Sequence, residues 1–359
     1  MAGKVEIVSG TGREILFLFN LSVSTKNETL SHSVDWINEF AQNFKEVFVY
    51  TMEGDVTNNV ANFKSLEMLK AKKDDNATMV FIRCLKSLVT IYRYRKKASV
   101  FFHMNHKPVL VLGIFLRIWG IPSGLWYSHK RAPISLRLAH KLVDFVVSSV
   151  TDAFPIRSGK LIVTGHGLSK IFLLPINEKP RMLGIVHIGR VVPVKKIERI
   201  IFALGSLETQ YRKIDLIGVT PNLRYKEFIE KIAAKLDVRI VFLGPMSKEK
   251  LSERLSHYSV CFSGTEMSVD KAPLEAASMG CYIVSNNDAV MKLTGMDLLL
   301  NNDAKNSQRS KSLEGLLNEI YVKTTFDNIA NRHFISAKTR ESNCLEKTVA
   351  RISNQLKVR

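Results

Sequence analysis

Short runs of uninterrupted apolar residues alternate with segments of helical periodicity along this whole chain, and few folds accept such a pattern. In the first half, EILFLFN (14–20), EVFVY (46–50), SVFFH (99–103), SGLWYS (123–128), DFVVSS (144–149) and KLIVTG (160–165) read as strands. Several are apolar at every position rather than every second one, as in a parallel sheet covered on both faces. Between them, SHSVDWINEFAQNF (31–44) repeats Val34, Ile37, Phe40 and Phe44 on one helical face. After LPINEKPRM (174–182), whose prolines and charges suggest a linker, a second series begins. It runs LGIVHIG (183–189), KIDLIGV (213–219), RIVFLG (239–244), SVCFSG (259–264) and CYIVSN (281–286). The expected fold is α/β: two doubly wound, Rossmann-like domains facing a central cleft. The first spans 1–175 and the second 176–340. SNCLEKTVARISNQLKV (342–358) reads as a terminal helix within a last segment, 341–359. Ligands of such domains bind at the carboxyl ends of the strands.

The 359 residues are too many for one ordinary core, in line with two domains. Fifty-two Lys and Arg against 33 Asp and Glu give a formal charge of +19, which favours polyanionic partners without choosing among them. The charge is uneven. Between Asp75 and Asp144 lie twelve Lys and Arg residues and no acid. Within that stretch CLKSLVTIYRYRKK (84–97) mixes apolar and cationic side chains, either as a membrane-surface helix does or as a core helix with a solvated basic face. VLVLGIFLRIWGI (109–121) is too short to cross a bilayer and carries Arg117, so a buried helix is expected there. The four cysteines form no C-x-x-C pair, and Cys261 lies in an apolar run, which points to buried thiols in a reducing compartment. No leader-like apolar segment opens the chain. No metal-ligand spacing and no D-x-D triplet is present. A nucleic-acid partner would rest on charge alone, so none is expected.

Two stretches carry chemistry. GRVVPVKK (189–196) follows the strand LGIVHI, so Arg190 and Lys195 project from a strand–helix junction and could grip a diphosphate. Spacing alone equally allows a surface loop with two solvated charges. In DKAPLEAASMG (270–280) a helix begins near Pro273. Its cap is Ala272 if Pro273 is the first helical residue, or Asp270 if the helix starts earlier. Either way Glu275 falls in the first turn, where it could compensate the dipole or accept hydrogen bonds from a ligand's hydroxyls.

Together, GRVVPVKK and VDKAPLEAASMGCYIVSNN resemble the carboxy-terminal domain of a family 4 glycosyltransferase with the GT-B fold. VRIVFLGPMSKEKLSERL (238–255) and GHGLSKIF (165–172) resemble the family's intervening strand–loop–helix and its pre-linker stretch. The resemblance runs from about residue 14 to 300 and is looser in the first half. It implies Arg190 and Lys195 on the donor diphosphate, where they carry catalysis, and Glu275 on the ribose hydroxyls. It places Gly244 and Pro245 near the base, and Ser268, Asp270, Lys271 and Leu274 in the rest of the donor site. Met267 stands where many members carry a first glutamate, and Glu266 is one residue away from it. On the acceptor side it implies a histidine near the reacting sugar. His103 is the preferred candidate, with His106, His129, Asn20 and Ser22 as further candidates.

The implied activity is a retaining transfer of a sugar from a nucleotide diphosphate sugar to a glycan or lipid-linked acceptor. It would serve cell-surface polysaccharide or glycolipid synthesis, with no metal and no further cofactor. The basic first domain adds an anionic membrane surface as a partner, for a cytoplasmic protein peripheral to the membrane's inner face. A non-catalytic nucleotide-sugar or glycan-binding protein on the same scaffold is the alternative.

Overall fold

The computed structural model describes residues 12–23, 32–54, 63–70, 75–179, 181–266, 268–300, 312–323 and 328–358. The chain forms two compact units, Met1–Gly167 together with Leu345–Arg359, and Leu168–Cys344.

The first unit is built on seven parallel strands: β1 (Ile15–Val23), β2 (Glu46–Gly54), β3 (Phe63–Met68), β4 (Ala98–His103), β5 (Ser123–Trp126), β6 (Phe145–Ser148) and β7 (Leu161–Val163). Their order is β3-β2-β1-β4-β5-β6-β7, so the sheet winds outward in both directions from the β1/β4 junction. Alternation along β1 explains the two cores. Phe17 and Phe19 point to one face, where their rings stack at 4.8 Å on Phe48 and Tyr50 respectively. Leu16 and Leu18 point to the other, beside Trp36, Ile37 and Phe40 of the helix His32–Asn43. The first face is covered by the helices Ala77–Arg93, Lys107–Ile118 and Ile134–Leu142, the middle one packed against both others.

The second unit has five parallel strands: β8 (Met182–Ile188), β9 (Lys213–Ile217), β10 (Arg239–Gly244), β11 (Tyr258–Ser263) and β12 (Tyr282–Ser285). Their order is β10-β9-β8-β11-β12, again reversing at one junction, β8/β11. Local chemistry starts its helices where the sequence changes period. Asn222, Ser247, Asn287 and Asn328 each sit at an N-cap and accept a hydrogen bond from a first-turn amide.

All eleven apolar runs are strands, and both sheets are parallel. The twelfth strand, β3, is FKSLEM at the sheet edge. Its half-polar sequence gives no apolar run because only β2 pairs with it. One element finds its place, and one expectation changes. The terminal helix Leu345–Val358 belongs to the first unit, where Leu345, Val349, Ile352 and Leu356 complete the core around Trp36. The run 109–121 does form a helix, but only one side of it is buried. Val109, Leu112 and Leu116 face the sheet, while Leu110, Ile114, Phe115 and Ile118 are exposed.

Candidate functional site

Four of the five strands of the second sheet are followed or closed by a glycine at the carboxyl edge: Gly189, Gly218, Gly244 and Gly264. Two of these positions admit nothing larger. A Cβ on Gly218 would stand 2.2 Å from the Gly189 carbonyl oxygen, and one on Gly264 would stand 2.2 Å from that of Lys195. Gly218 also holds φ +142°, outside the range of ordinary side chains. The backbone at this edge is therefore drawn tight, and the loops after β8 and β11 meet at the point where the strand order reverses. A doubly wound sheet opens its ligand crevice at that place.

The loop after β8 carries both cations expected from the sequence. Gly189 donates its N–H to the Ile217 carbonyl and Val191 donates to Val219, so the chain continues beside β9 before it turns. Arg190 projects outward from this segment. It is exposed and has no hydrogen bond or ion pair among the described residues. Lys195 is held differently. Its ammonium lies 2.6 Å from Asp270 Oδ2 and 3.2 Å from Thr265 Oγ1, while the Thr265 hydroxyl donates to the same Asp270 oxygen at 2.7 Å. The loops after β8 and β11 are thus tied together by one ammonium, one hydroxyl and one carboxylate.

This tie decides how the next helix begins. It runs Lys271–Ser278, with Asp270 at the N-cap in extended conformation, but the Asp270 side chain makes no capping bond because it faces Lys195. The start is therefore earlier than Pro273, and Ala272 is not the cap. One consequence corrects the sequence reading: Glu275 is the fifth helical residue, not a first-turn residue, and no acid lies in the first turn. Reciprocal capping requires the third helical position, which is Pro273 here. Glu275 is instead nearly enclosed, its side chain 13% exposed, with Lys271 Nζ at 4.0 Å one turn before it.

The remaining donor-side residues separate. Ser268 is half-buried, and its carbonyl accepts from Asn287 Nδ2 at 3.0 Å. Leu274 is fully buried in the core, so only its backbone can meet a ligand. Gly244 holds φ +69° with open space where a side chain would be, and Pro245 beside it is exposed. Met267 lies outside the described residues. Glu266 turns away from Lys195 and pairs with Lys196 and Arg199, and the hydrogen bond from Lys196 holds its carboxyl below the usual range.

Three contributors were not singled out by the sequence reading. Thr265 completes the Lys195–Asp270 tie. Asn287, after β12, donates to the carbonyls of both Thr265 and Ser268 and so sets the loop that carries Asp270. His187, on β8, is fully buried beneath Gly189, its Nδ1 3.2 Å from the Phe262 carbonyl and its Nε2 without a partner among the described residues. Burial pushes its pKa down to about 4, so the ring is neutral at ordinary pH. Only the polar residues in otherwise apolar strand ends, HIG and VSNN, hinted at the last two.

The first unit has its own polar junction, at the ends of β1 and β4 where its strand order reverses. His103 Nδ1 and Asn20 Oδ1 lie 2.9 Å apart, both residues buried, and the His103 ring stacks on Trp36 at 4.5 Å. Asn20 Nδ2 and the Ser22 hydroxyl are buried without a partner among the described residues, while 24–31 of the loop that follows lies outside them. His106 and His129 lie in separate local settings. His106 Nε2 pairs with the Ser135 hydroxyl at 2.9 Å, and burial lowers its pKa. His129 is exposed and accepts the Arg131 N–H at 3.0 Å, closing a local turn. Among the described residues no group of three or more His, Cys, Asp or Glu could hold a metal ion.

No family model matches the sequence, and no curated protein is similar to it in sequence. Solved structures share the fold. HepE of Anabaena in complex with UDP-glucose superposes with a TM-score of 0.69 at 13% identity, covering 96% of this chain and 100% of that one. Sucrose-phosphate synthase from Thermosynechococcus elongatus gives a TM-score of 0.67 at 12% identity over 95% and 98%. WaaG, a glycosyltransferase involved in lipopolysaccharide biosynthesis, gives 0.61 at 13% over 95% and 98%. The fold is thus GT-B: two Rossmann-like domains, as the strand pattern implies, in the class that the resemblance implies.

Proposed function

We propose that this chain is a glycosyltransferase that moves a sugar from a nucleotide diphosphate sugar to a glycan or lipid-linked acceptor. The observation that carries this reading is the pair of cations at the β8/β11 junction, Arg190 without a partner among the described residues and Lys195 fixed in place by Asp270. A guanidinium and an ammonium on one tight loop match a diphosphate, the first by bidentate hydrogen bonds and the second as a point charge. Glu275, nearly enclosed and five residues beyond the Asp270 that holds Lys195, suits the ribose hydroxyls. Gly244, with open space where a side chain would be, and the exposed Pro245 suit the base. Ser268, Asp270 and Lys271 then lie on the sugar side. The UDP and UDP-glucose complexes of the structural neighbour HepE support a nucleotide sugar as donor.

In the reaction, charge develops on the departing diphosphate. Arg190 and Lys195 would meet it, helped by the helix start at Lys271, which no side chain caps. The leaving diphosphate assists attack from its own side, so configuration at the sugar is retained and no protein base is required. On the acceptor side, Asn20, Ser22 and His103 form the polar end of β1 and β4. With its ring stacked and Nδ1 engaged, His103 orients Asn20 in this reading rather than moving a proton.

The test is turnover. Release of nucleoside diphosphate from UDP-, GDP- and ADP-sugars is followed for wild type and for Arg190→Ala and Lys195→Ala. One donor should turn over, and each variant should lose about a hundredfold or more in rate while its melting temperature stays close to wild type. Absence of turnover with every donor, or full activity in both variants, overturns the reading.

A further inference from the structure

The three helices that cover one face of the first sheet turn an unusual surface outward. On Ala77–Arg93, at 100° per residue, Phe81, Ile82, Val89 and Tyr92 fall on one exposed side, flanked by Lys86 and Arg93. On Lys107–Ile118, the middle helix, the outward residues are Leu110, Ile114, Phe115 and Ile118, with Lys107 and Arg117 only at its two ends. On Ile134–Leu142 they are Ile134 and Leu138 with Arg137 and Lys141. Exposure is large where it matters most: 73% for Ile118 and 77% for Ile134. The helices lie side by side, so these residues form one field rather than scattered exceptions. An apolar field of this kind is unusual on a solvated surface and marks an interaction site.

We infer that this three-helix face docks on an anionic lipid surface, its apolar side chains entering the headgroup–acyl boundary and its cations meeting lipid phosphates. Charge selects the occupant. No acid occurs between Asp75 and Asp144, and Lys86, Arg93, Lys107, Arg137 and Lys141 have no ion pair among the described residues. A second copy of this chain on the same face would set these cations against one another. A nucleic acid would meet the phosphates' partners only at the edges, because the middle helix offers apolar side chains that neither neutralise phosphate nor read a base. A bilayer surface accepts both kinds of side chain at once. Among the described residues no helix is long and apolar enough to cross a membrane, so the contact is peripheral. The inference deepens the transfer reading and rests on it in one respect: a face held at a membrane makes the acceptor a lipid-linked one.

The experiment is co-sedimentation of the full chain with vesicles of phosphatidylcholine alone, or with a third of it replaced by phosphatidylglycerol. The protein should pellet with the anionic vesicles and not with the neutral ones, and added salt should weaken the association. Lys86→Ala with Arg93→Ala should reduce partitioning about thirtyfold at low salt. Ile114→Ser with Ile118→Ser should reduce it about tenfold or more, including the part that resists salt. Both pairs are exposed, and their melting temperatures and stabilisation by nucleoside diphosphate should match wild type. Failure to bind anionic vesicles, equal binding to both vesicle types, or variants that bind like wild type would overturn the inference. So would capture of duplex DNA or RNA through Lys86 and Arg93 without vesicle binding. Vesicle binding lost with nucleotide stabilisation kept sinks only the lipid surface. Vesicle binding kept with no nucleotide effect in wild type sinks only the transfer reading.

Discussion

Replacing Glu275 by Gln keeps the size of the side chain and removes its charge, and two effects of different size follow. Within the folded chain Glu275 has Lys271 Nζ at 4.0 Å, with the two side chains 13% and 18% exposed. An exposed i,i+4 pair contributes about 0.5 kcal/mol, and this degree of enclosure raises it to about 1 kcal/mol. For a unit the size of Leu168–Cys344 that is a fall in melting temperature of about 2–4 °C. Ligand binding should suffer more. A carboxylate that accepts from ribose hydroxyls makes charged hydrogen bonds, and weakening them by about 2 kcal/mol lowers nucleotide affinity about thirtyfold. Calorimetric titration separates the two when the nucleoside diphosphate that stabilises wild type is compared with its 2′-deoxy analogue. Wild type should prefer the ribose form, and Glu275→Gln should bind both forms equally weakly. If the variant binds the ribose form as tightly as wild type while its melting temperature falls, Glu275 serves the helix alone and the ribose assignment is wrong.

Three further outcomes follow from the same geometry. Gly218→Ala must place a Cβ 2.2 Å from the Gly189 carbonyl at φ +142°, so chemical denaturation should show a loss of about 2–3 kcal/mol, with nucleotide binding weakened because the Arg190 loop is displaced. His187 is neutral in the fold, with its pKa near 4, so the unfolded chain gains its proton first as pH falls below about 6.5. Its contribution is therefore complete above that pH and is lost between there and about pH 4. Unfolding free energies from urea titrations at about pH 7 and pH 5 should differ by about 2 kcal/mol more in wild type than in His187→Leu, and identical pH slopes would refute this. Glu266→Gln disturbs only partly exposed pairs with Lys196 and Arg199, and should change stability by about 0.5 kcal/mol or less with nucleotide affinity unaltered.

Much of the fold was legible because parallel strands covered on both faces need apolar residues at every position, and those runs stand out. Strand β3 was hidden because an edge strand paired only with β2 can remain polar. The terminal helix was recognised as a helix, but not its home. Leu345, Val349, Ile352 and Leu356 specify an apolar face, and a face does not name the core it joins. At the site, the spacing of Arg190 and Lys195 after a strand was enough to find the loop, whereas the environment of each was not. Lys195 is clasped by Asp270 and Thr265 across seventy residues of chain, a contact that only the sheet order creates. The helix start was left between two positions for the same reason. Pro273 is compatible with the first turn at more than one position. Only the pairing of Asp270 with Lys195 shows why that cap residue makes no capping bond, so Glu275 was placed in the first turn when it is the fifth helical residue. The apolar run 109–121 looked like buried helix because composition does not record which half of a helix is covered.

The central claim is that the glycine-edged junction of β8 and β11 binds a nucleoside diphosphate through Arg190 and Lys195. Its most direct test is titration of UDP, GDP and ADP into wild type, Arg190→Ala and Lys195→Ala, followed by calorimetry. One nucleotide should bind wild type, and each variant should bind it at least about tenfold more weakly, as loss of a charge-assisted hydrogen bond of about 1.5–3 kcal/mol requires. Binding of none of the three to wild type, or unchanged affinity in both variants, would contradict the claim.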